Sequence, residues 1–335
     1  MKIAVVAVTS QSGERGGAER FYEGLVTALN EAGAHAELVS LISNESSFEA
    51  IQETLLSFYD LDLSEYDGAI STKAPSHLVR HPNHICYLVH TMRVFYDMFD
   101  TEFKNPSPDI YKQREFIQKV DTAALIKTRK LFTIGYEVSA RLLKWNGLQS
   151  EVLHPPLLFN HFKPGNFEYV FLPSRLHRWK RIDLIINAFR HVSVPVALKI
   201  AGAGEDEFSL RELAADNQKI EFLGRVSDRE LVTLYSNALV VPFVPKGEDY
   251  GYVTLEAFKS EKPVITCKDS GEPAHFIINN VNGFLCEPQP EDIAGKINFL
   301  YHNKELATAM GKKGKVSINH IKWDMVANKL LQQLS

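Results

Sequence analysis

The chain has 335 residues, more than one ordinary hydrophobic core fills and enough for two domains of typical size. Apolar residues make up 45% and charged residues 23%, the composition of a globular protein, and a formal charge of −4 gives nucleic acid no reason to bind. No run of about 20 apolar residues escapes interruption by charge, which argues against a membrane-spanning helix. The opening MKIAVVAVTSQSGERGG passes from a short apolar stretch into a polar loop without a secretory cleavage site. Cys86, Cys267 and Cys286 are widely spaced within apolar stretches, so they read as buried thiols of a reducing compartment rather than a disulfide frame.

In chain order, Ile3 to Val8 is a continuous apolar run, as expected of a strand covered on both faces. A Gly-containing loop follows, then AERFYEGLVTALNEAG with apolar residues at helical spacing and Gly33 as a stop, then the strand AELVSLI. The alternation continues with strands near 68–72, 84–89, 130–134 and 151–153 and helices over 48–59, 111–127 and 136–145. It breaks at LHPPLLFNHFKPG (153–165), where three prolines suit an extended linker. Beyond it the pattern restarts: strand and loop YVFLPSR, helix RIDLIINAFRHV, strand and turn VALKIAGAG, helix FSLRELAADN, and strands IEFLGRV, ALVVPF and PVITC with helices at 228–236 and 251–260. Helices at about 291–301, 303–315 and 322–334 close the chain. The pattern predicts an α/β chain of two Rossmann-like doubly wound parallel-sheet domains facing a cleft. The expected boundaries are 1–160, 161–318 and a terminal helix over 319–335 packing back on the N-terminal domain.

Chemistry concentrates in PFVPKGEDYGYVTLEAFKSEKPVI (242–265), where a buried strand enters a polar loop and then a helix starting near Gly251. Amides at such a helix start form an anion site suited to phosphate. Glu248 stands in the loop and Glu256 one to two turns into the helix, as acceptors for sugar hydroxyls or as solvated charges at a helix start. In FLPSRLHRWKRIDLIINAF (171–189), Arg175 follows a strand and Lys180 stands at a helix start, a position that an anion would favour. The same basic cluster, with Arg178 and Arg181, also reads as an ordinary surface turn.

SRLHRWKRIDLIINAF, LKIAGAG, IEFLGRVSDRELVTLYSNA, GEDYGYVTLEAFKSEKPVIT and NGFLCEP together resemble the family 4 retaining glycosyltransferases of the GT-B type, in family order and spacing. GGAERFYEGLVTALNEAG and YLVHTMRVFYD are similar to the same pattern. The resemblance implies that Arg175 and Lys180 bind the donor diphosphate, Glu256 the ribose hydroxyls and Glu248 the donor sugar. It places the amides of Tyr250, Gly251, Tyr252 and Val253 by phosphate and sugar, Val226 by the base, Gly16 and Gly17 by the diphosphate, and His90 beside the sugar. The implied reaction is front-face transfer, with His90, Arg175, Lys180 and Glu248 as the catalytic set. The donor is a nucleotide-diphosphate sugar (a UDP-sugar first, GDP-mannose second) and the acceptor a glycan or lipid-linked sugar. Cell-surface polysaccharide synthesis, no metal and no other cofactor are expected, in a cytoplasmic protein with peripheral contact at the inner membrane face. In KDSGEPAHFI the sequence departs from the family, with Glu272 where a second Gly and His275 where an acid is usual. Two alternatives stay beside this reading, a non-catalytic subunit of the same fold and another nucleotide-sugar enzyme such as an epimerase.

Other signals are weaker. Asp60-Leu61-Asp62 reads as a loop rather than a metal pair, and His77, His81, His84 and His90 match no zinc spacing. GAGEDE (202–207) is a turn before a helix, and GERGG departs from the dinucleotide fingerprint. The basic helix over 111–130 presents a solvated face or a membrane-surface contact.

Overall fold

The computed structural model describes residues 1–9, 16–159 and 161–334. The chain divides into two compact units, Met1–Leu158 with Ile321–Ser335, and Phe159–His320. In the first unit β1 (Lys2–Thr9), α1 (Gly17–Glu31), β2 (His35–Ile42), α2 (Phe48–Tyr59), β3 (Gly68–Ser71) and β4 (His84–Leu88) follow in turn. They continue with α3 (Phe99–Glu102), α4 (Pro108–Leu125), β5 (Lys130–Thr133), α5 (Tyr136–Asn146) and β6 (Glu151–Val152). The six strands are parallel in the order β2-β1-β3-β4-β5-β6.

Ile3 through Val8 are at most 2% exposed, which is why β1 shows no polar alternation. Helix α1 buries Phe21, Tyr22, Leu25, Ala28 and Leu29 along one face, and Glu19 accepts the Gly16 N–H at 2.7 Å to close its first turn. The basic helix read over 111–127 starts earlier, at Pro108, because Ser107 caps it and a proline fits the first helical position, where no N–H is needed.

The second unit runs β7 (Tyr169–Pro173), a 3-10 turn at Arg178–Lys180, α6 (Ile182–Ala188), β8 (Leu198–Ala201), α7 (Glu207–Ala214), β9 (Ile220–Gly224) and α8 (Asp228–Ser236). It continues with β10 (Ala238–Pro242), α9 (Tyr252–Lys259), β11 (Val264–Cys267), α10 (Glu272–Phe276), β12 (Gly283–Cys286), α11 (Pro290–His302) and α12 (Lys304–Ser317). Its parallel strands are ordered β12-β11-β10-β7-β8-β9. Strand β12 and the short helices α3 and α10 were not foreseen: a helix of about one turn shows no apolar repeat, and β12 opens on a glycine between the turn-forming Asn282 and Pro288. The last helix, α13 (Trp323–Leu334), returns to the first unit and packs on α1. There the Trp323 indole lies so close to Gly24 that any side chain at that position would meet it. The Leu334 carbonyl accepts the Asn83 side-chain N–H at 2.8 Å.

One residue ties three loops of the second unit together. Arg181 adopts a left-handed backbone (φ 52°) between the 3-10 turn and α6. Its Nε donates to the Val244 carbonyl at 2.6 Å, one terminal nitrogen to the Pro245 carbonyl at 2.8 Å, and both terminal nitrogens to the Asp269 carboxylate at 2.7 and 2.8 Å. The planar fork of guanidinium suits this set and an ammonium does not. Arg181→Ala is therefore expected to destabilise the protein by about 2 kcal/mol, and Arg181→Lys to recover little of it, both read as the urea midpoint at unchanged slope. An Arg181→Lys midpoint equal to wild type would show that the fork geometry is not what matters.

Candidate functional site

In the second sheet β7 and β10 are neighbours, yet the chain leaves β7 toward β8 on one side and β10 toward β11 on the other. Loops at such a switch point leave the same strand ends and diverge, opening a crevice above the sheet edge. Here they are residues 174–181 and 243–251. Arg181 joins them, and the Lys246 N–H donates to the Trp179 carbonyl at 2.8 Å.

Lys180 and Glu248 meet across this switch point. The ammonium donates to Glu248 Oε2 at 2.5 Å, with side chains only 24% and 18% exposed. Lys180 stands at the end of the 3-10 turn rather than on α6 itself, because Arg181 interrupts the helical backbone before Ile182. Glu248 is fixed by its backbone as well. Its N–H donates to the Ser270 carbonyl, and its carbonyl accepts the Glu272 N–H, both at 2.9 Å. Gly271 lies within this bridge at φ 74°, where a Cβ would fall 2.4 Å from the Glu248 carbonyl oxygen, so only glycine permits the approach. Glu272, in contrast, is fully buried at the first position of α10 without a positive φ. The family's second glycine is thus replaced where the backbone makes no demand for one. His275, in the last turn of α10, is exposed.

Helix α9 starts from Gly251 at φ 79°, and no side chain caps it. Tyr250 is 4% exposed and packs edge-on against Tyr252, with centroids 4.9 Å apart. Burial, and then the Glu256 carboxylate, push the Tyr252 phenol above its ordinary range. Val253 follows at the second helical position, and Glu256 is 9% exposed with its Oε2 accepting the Tyr235 hydroxyl at 2.6 Å. The α9 amides point where an anion is favoured.

Arg175 lies in the loop after β7 with its side chain 66% exposed, its guanidinium 3.3 Å from Glu205. Glu205 also faces His177 at 3.4 Å. Burial lowers the His177 pKa, and Glu205 only partly opposes it. Burial raises the Glu205 carboxyl, but its own backbone N–H, Arg175 and His177 outweigh that and hold it below its usual range. Val226 is half-buried in the loop after β9, next to the Ser227 cap of α8.

Gly16, Gly17 and His90 belong to the first unit. Gly16 caps α1 and Gly17 begins it, while residues 10–15 of the glycine loop lie outside the described residues. His90 follows β4, with Nδ1 2.6 Å from the Thr91 carbonyl. The three other histidines of the 77–90 segment each have their own partner: His77 pairs with Asp121 at 2.9 Å, His81 with the Tyr66 carbonyl at 3.0 Å, and His84 with Ser71 at 2.8 Å. Burial lowers His84 to about 3. Asp60 and Asp62 lie in the loop between α2 and β3, where Asp62 accepts the Ser64 N–H.

Sequence reasoning overlooked Asp269, Glu205 and Tyr235 and saw in Arg181 only a surface charge. Asp269 and Glu205 lie in turns whose partners are distant in sequence, and Tyr235 reads as an apolar position of a helix. Only the charge of the GAGEDE turn hinted at Glu205.

Residues 156–317 match the model of the glycosyl transferases group 1. The mouse alpha-1,3/1,6-mannosyltransferase ALG2 is 33% identical over 217 residues, covering 55% of this chain and 52% of that protein. CapM of Staphylococcus aureus, a capsular polysaccharide biosynthesis glycosyltransferase, is 27% identical over 60% of this chain and 54% of its own. The chain therefore spans about half the length of these relatives. Among solved structures, Anabaena HepE with UDP and glucose superposes with a TM-score of 0.76 at 16% identity, over 100% of this chain and 99% of that one. Sucrose-phosphate synthase of Thermosynechococcus elongatus gives 0.78 at 18% identity, over 99% and 97%. The fold is that of the GT-B glycosyltransferases, and residues 156–317 carry the match to the group 1, or family 4, glycosyltransferases.

Proposed function

We propose that this protein is a retaining glycosyltransferase that moves a sugar from a nucleotide-diphosphate sugar to a glycan or lipid-linked acceptor in cell-surface polysaccharide synthesis. The Lys180–Glu248 pair at the switch point carries this reading, because it sets a phosphate-binding cation against a hydroxyl-binding carboxylate beside the uncapped start of α9. UDP-sugars are the first choice of donor, supported by the UDP and glucose in HepE. GDP-mannose is second, in keeping with the mannosyltransferase relative.

In this mechanism the diphosphate leaves as the acceptor hydroxyl attacks the same face of the anomeric carbon, the acceptor proton passing to the departing phosphate. Lys180, Arg175 and the amides of Tyr252 and Val253 stabilise the growing negative charge. Tyr250 and Gly251 shape that turn, Glu248 orients the sugar, Glu256 holds the ribose and Val226 meets the base. By family position, Gly16 and Gly17 are assigned to the diphosphate and His90 to the sugar. Binding of the diphosphate draws Lys180 into a bond shared with Glu248, which links phosphate binding to the sugar contact.

The matching nucleoside diphosphate at a hundredfold excess over its dissociation constant is expected to stabilise the wild type by ~2.7 kcal/mol. A thermal-shift series with UDP, GDP, ADP and their sugar conjugates checks this; Lys180→Ala should abolish the shift and Glu256→Ala should diminish it. A wild type that responds to no nucleotide would remove the donor site.

Turnover is expected to release nucleoside diphosphate only when acceptor is present, with Lys180→Ala slowing it on the order of a hundredfold. Release without acceptor, or donor binding without turnover across glycan and lipid-linked acceptors, would point away from a transferase.

Among the described residues no helix is long and apolar enough to cross a membrane. Helix α4, however, exposes Tyr111 and Phe116 beside Lys112 and Lys119, each lysine paired with a carboxylate of the helix, and these aromatic side chains support peripheral contact with a membrane carrying the acceptor. Cosedimentation with phosphatidylglycerol vesicles, lost in Phe116→Glu, is the expected result, and equal binding by that variant would reject it.

A further inference from the structure

We propose, building on the assignment of Glu256 to the donor ribose, that Tyr235 is the positioning residue that aims the Glu256 carboxylate and thereby sets the preference for a ribonucleotide. Glu256 stands on α9 with 9% exposure, so its charge requires hydrogen bonding to remain ionised there. The Tyr235 hydroxyl donates to its Oε2 at 2.6 Å, the short length typical of a phenol on a carboxylate. Tyr235 sits at the end of α8, outside both donor loops, and is fully buried. Its ring is held edge-on by Phe171 of β7, with centroids 5.1 Å apart at 86°, and by Phe162 at 5.5 Å and 89°. The hydroxyl is therefore fixed by the sheet and by the segment that leads into it, and it fixes the carboxylate in turn.

A glutamate has three rotatable bonds, and gripping a ribose hydroxyl requires one orientation. Supplying that orientation before the nucleotide arrives lowers the entropy lost on binding. Loss of the hydroxyl should weaken only what the aimed carboxylate touches. Base and diphosphate contacts should be unaffected.

Affinities for UDP and GDP are measured beside those for their 2′-deoxy and 3′-deoxy forms, in wild type, Glu256→Ala, Tyr235→Phe and Phe171→Leu. The wild type is expected to prefer the ribose form, and Glu256→Ala to lose that preference. Tyr235→Phe keeps the ring and should bind the ribonucleotide about tenfold more weakly, a change of ~1.4 kcal/mol, with the affected deoxy form unchanged. In turnover this appears as a raised KM for donor at nearly constant kcat. Phe171→Leu, which keeps the hydroxyl but loosens the packing that supports it, should lower the melting temperature and erode the ribose preference by less than Tyr235→Phe does.

An unchanged preference in Tyr235→Phe, or equal weakening of both nucleotide forms there, would overturn the positioning role. If Glu256→Ala keeps the wild-type preference, the ribose assignment itself falls and the proposal falls with it. That result is distinct from the others because it appears in a different variant.

Discussion

The candidate site depends on a constraint of chain topology: β7 and β10 lie side by side while their connections run to opposite sides of the sheet. Two loops distant in sequence are thereby brought to one sheet edge, and neither alone holds the chemistry. The loop after β7 carries cations and the loop after β10 carries a carboxylate and the start of a helix. Their union is stabilised by Arg181, whose fork reaches the Val244 and Pro245 carbonyls and the Asp269 carboxylate together. Removal of that fork would leave the buried Val244 and Pro245 carbonyls without their donor, where water replaces it incompletely, and would release the more exposed Asp269 carboxylate to solvent.

The second element of the site is the short parallel bridge between Glu248 and Gly271. It fixes the backbone of a carboxylate that would otherwise ride on a flexible loop. Gly271 is required there for the close approach of two backbones, whereas Glu272 follows in ordinary geometry at the start of α10. The departure at Glu272 therefore concerns what its buried carboxylate meets rather than backbone strain. Glu256 shows the same division between placement and aim, since α9 places it and Tyr235, from another helix, orients it.

Much of the architecture was legible in the residues. Strands β1, β4, β7 and β10 are buried along nearly their whole length, so they appear as uninterrupted apolar runs. The long helices carry apolar stripes, and Gly33 and Gly147 punctuate two of them with positive φ. Strand β12 escaped notice because it opens on a glycine between Asn282 and Pro288 and so reads as a turn, and α10 because it is a single turn with a proline at its second position. Glu248, Glu256, Arg175 and Lys180 were singled out through the resemblance to the family 4 glycosyltransferases, and the structure brings Lys180 and Glu248 together.

What the sequence by itself determined was the alternation of strand and helix, the restart after the proline-rich linker, and the residue types available at each strand end. These depend on local periodicity and on which side chains can tolerate burial. The tertiary structure alone decided that Lys180 bonds Glu248, that Arg175 bonds Glu205, that Arg181 clamps Asp269 and that Tyr235 holds Glu256. Each joins residues 21 to 88 positions apart. Such pairs form when the order of strands in a sheet brings their loops together, and strand order follows from packing of the whole unit, which no single segment encodes.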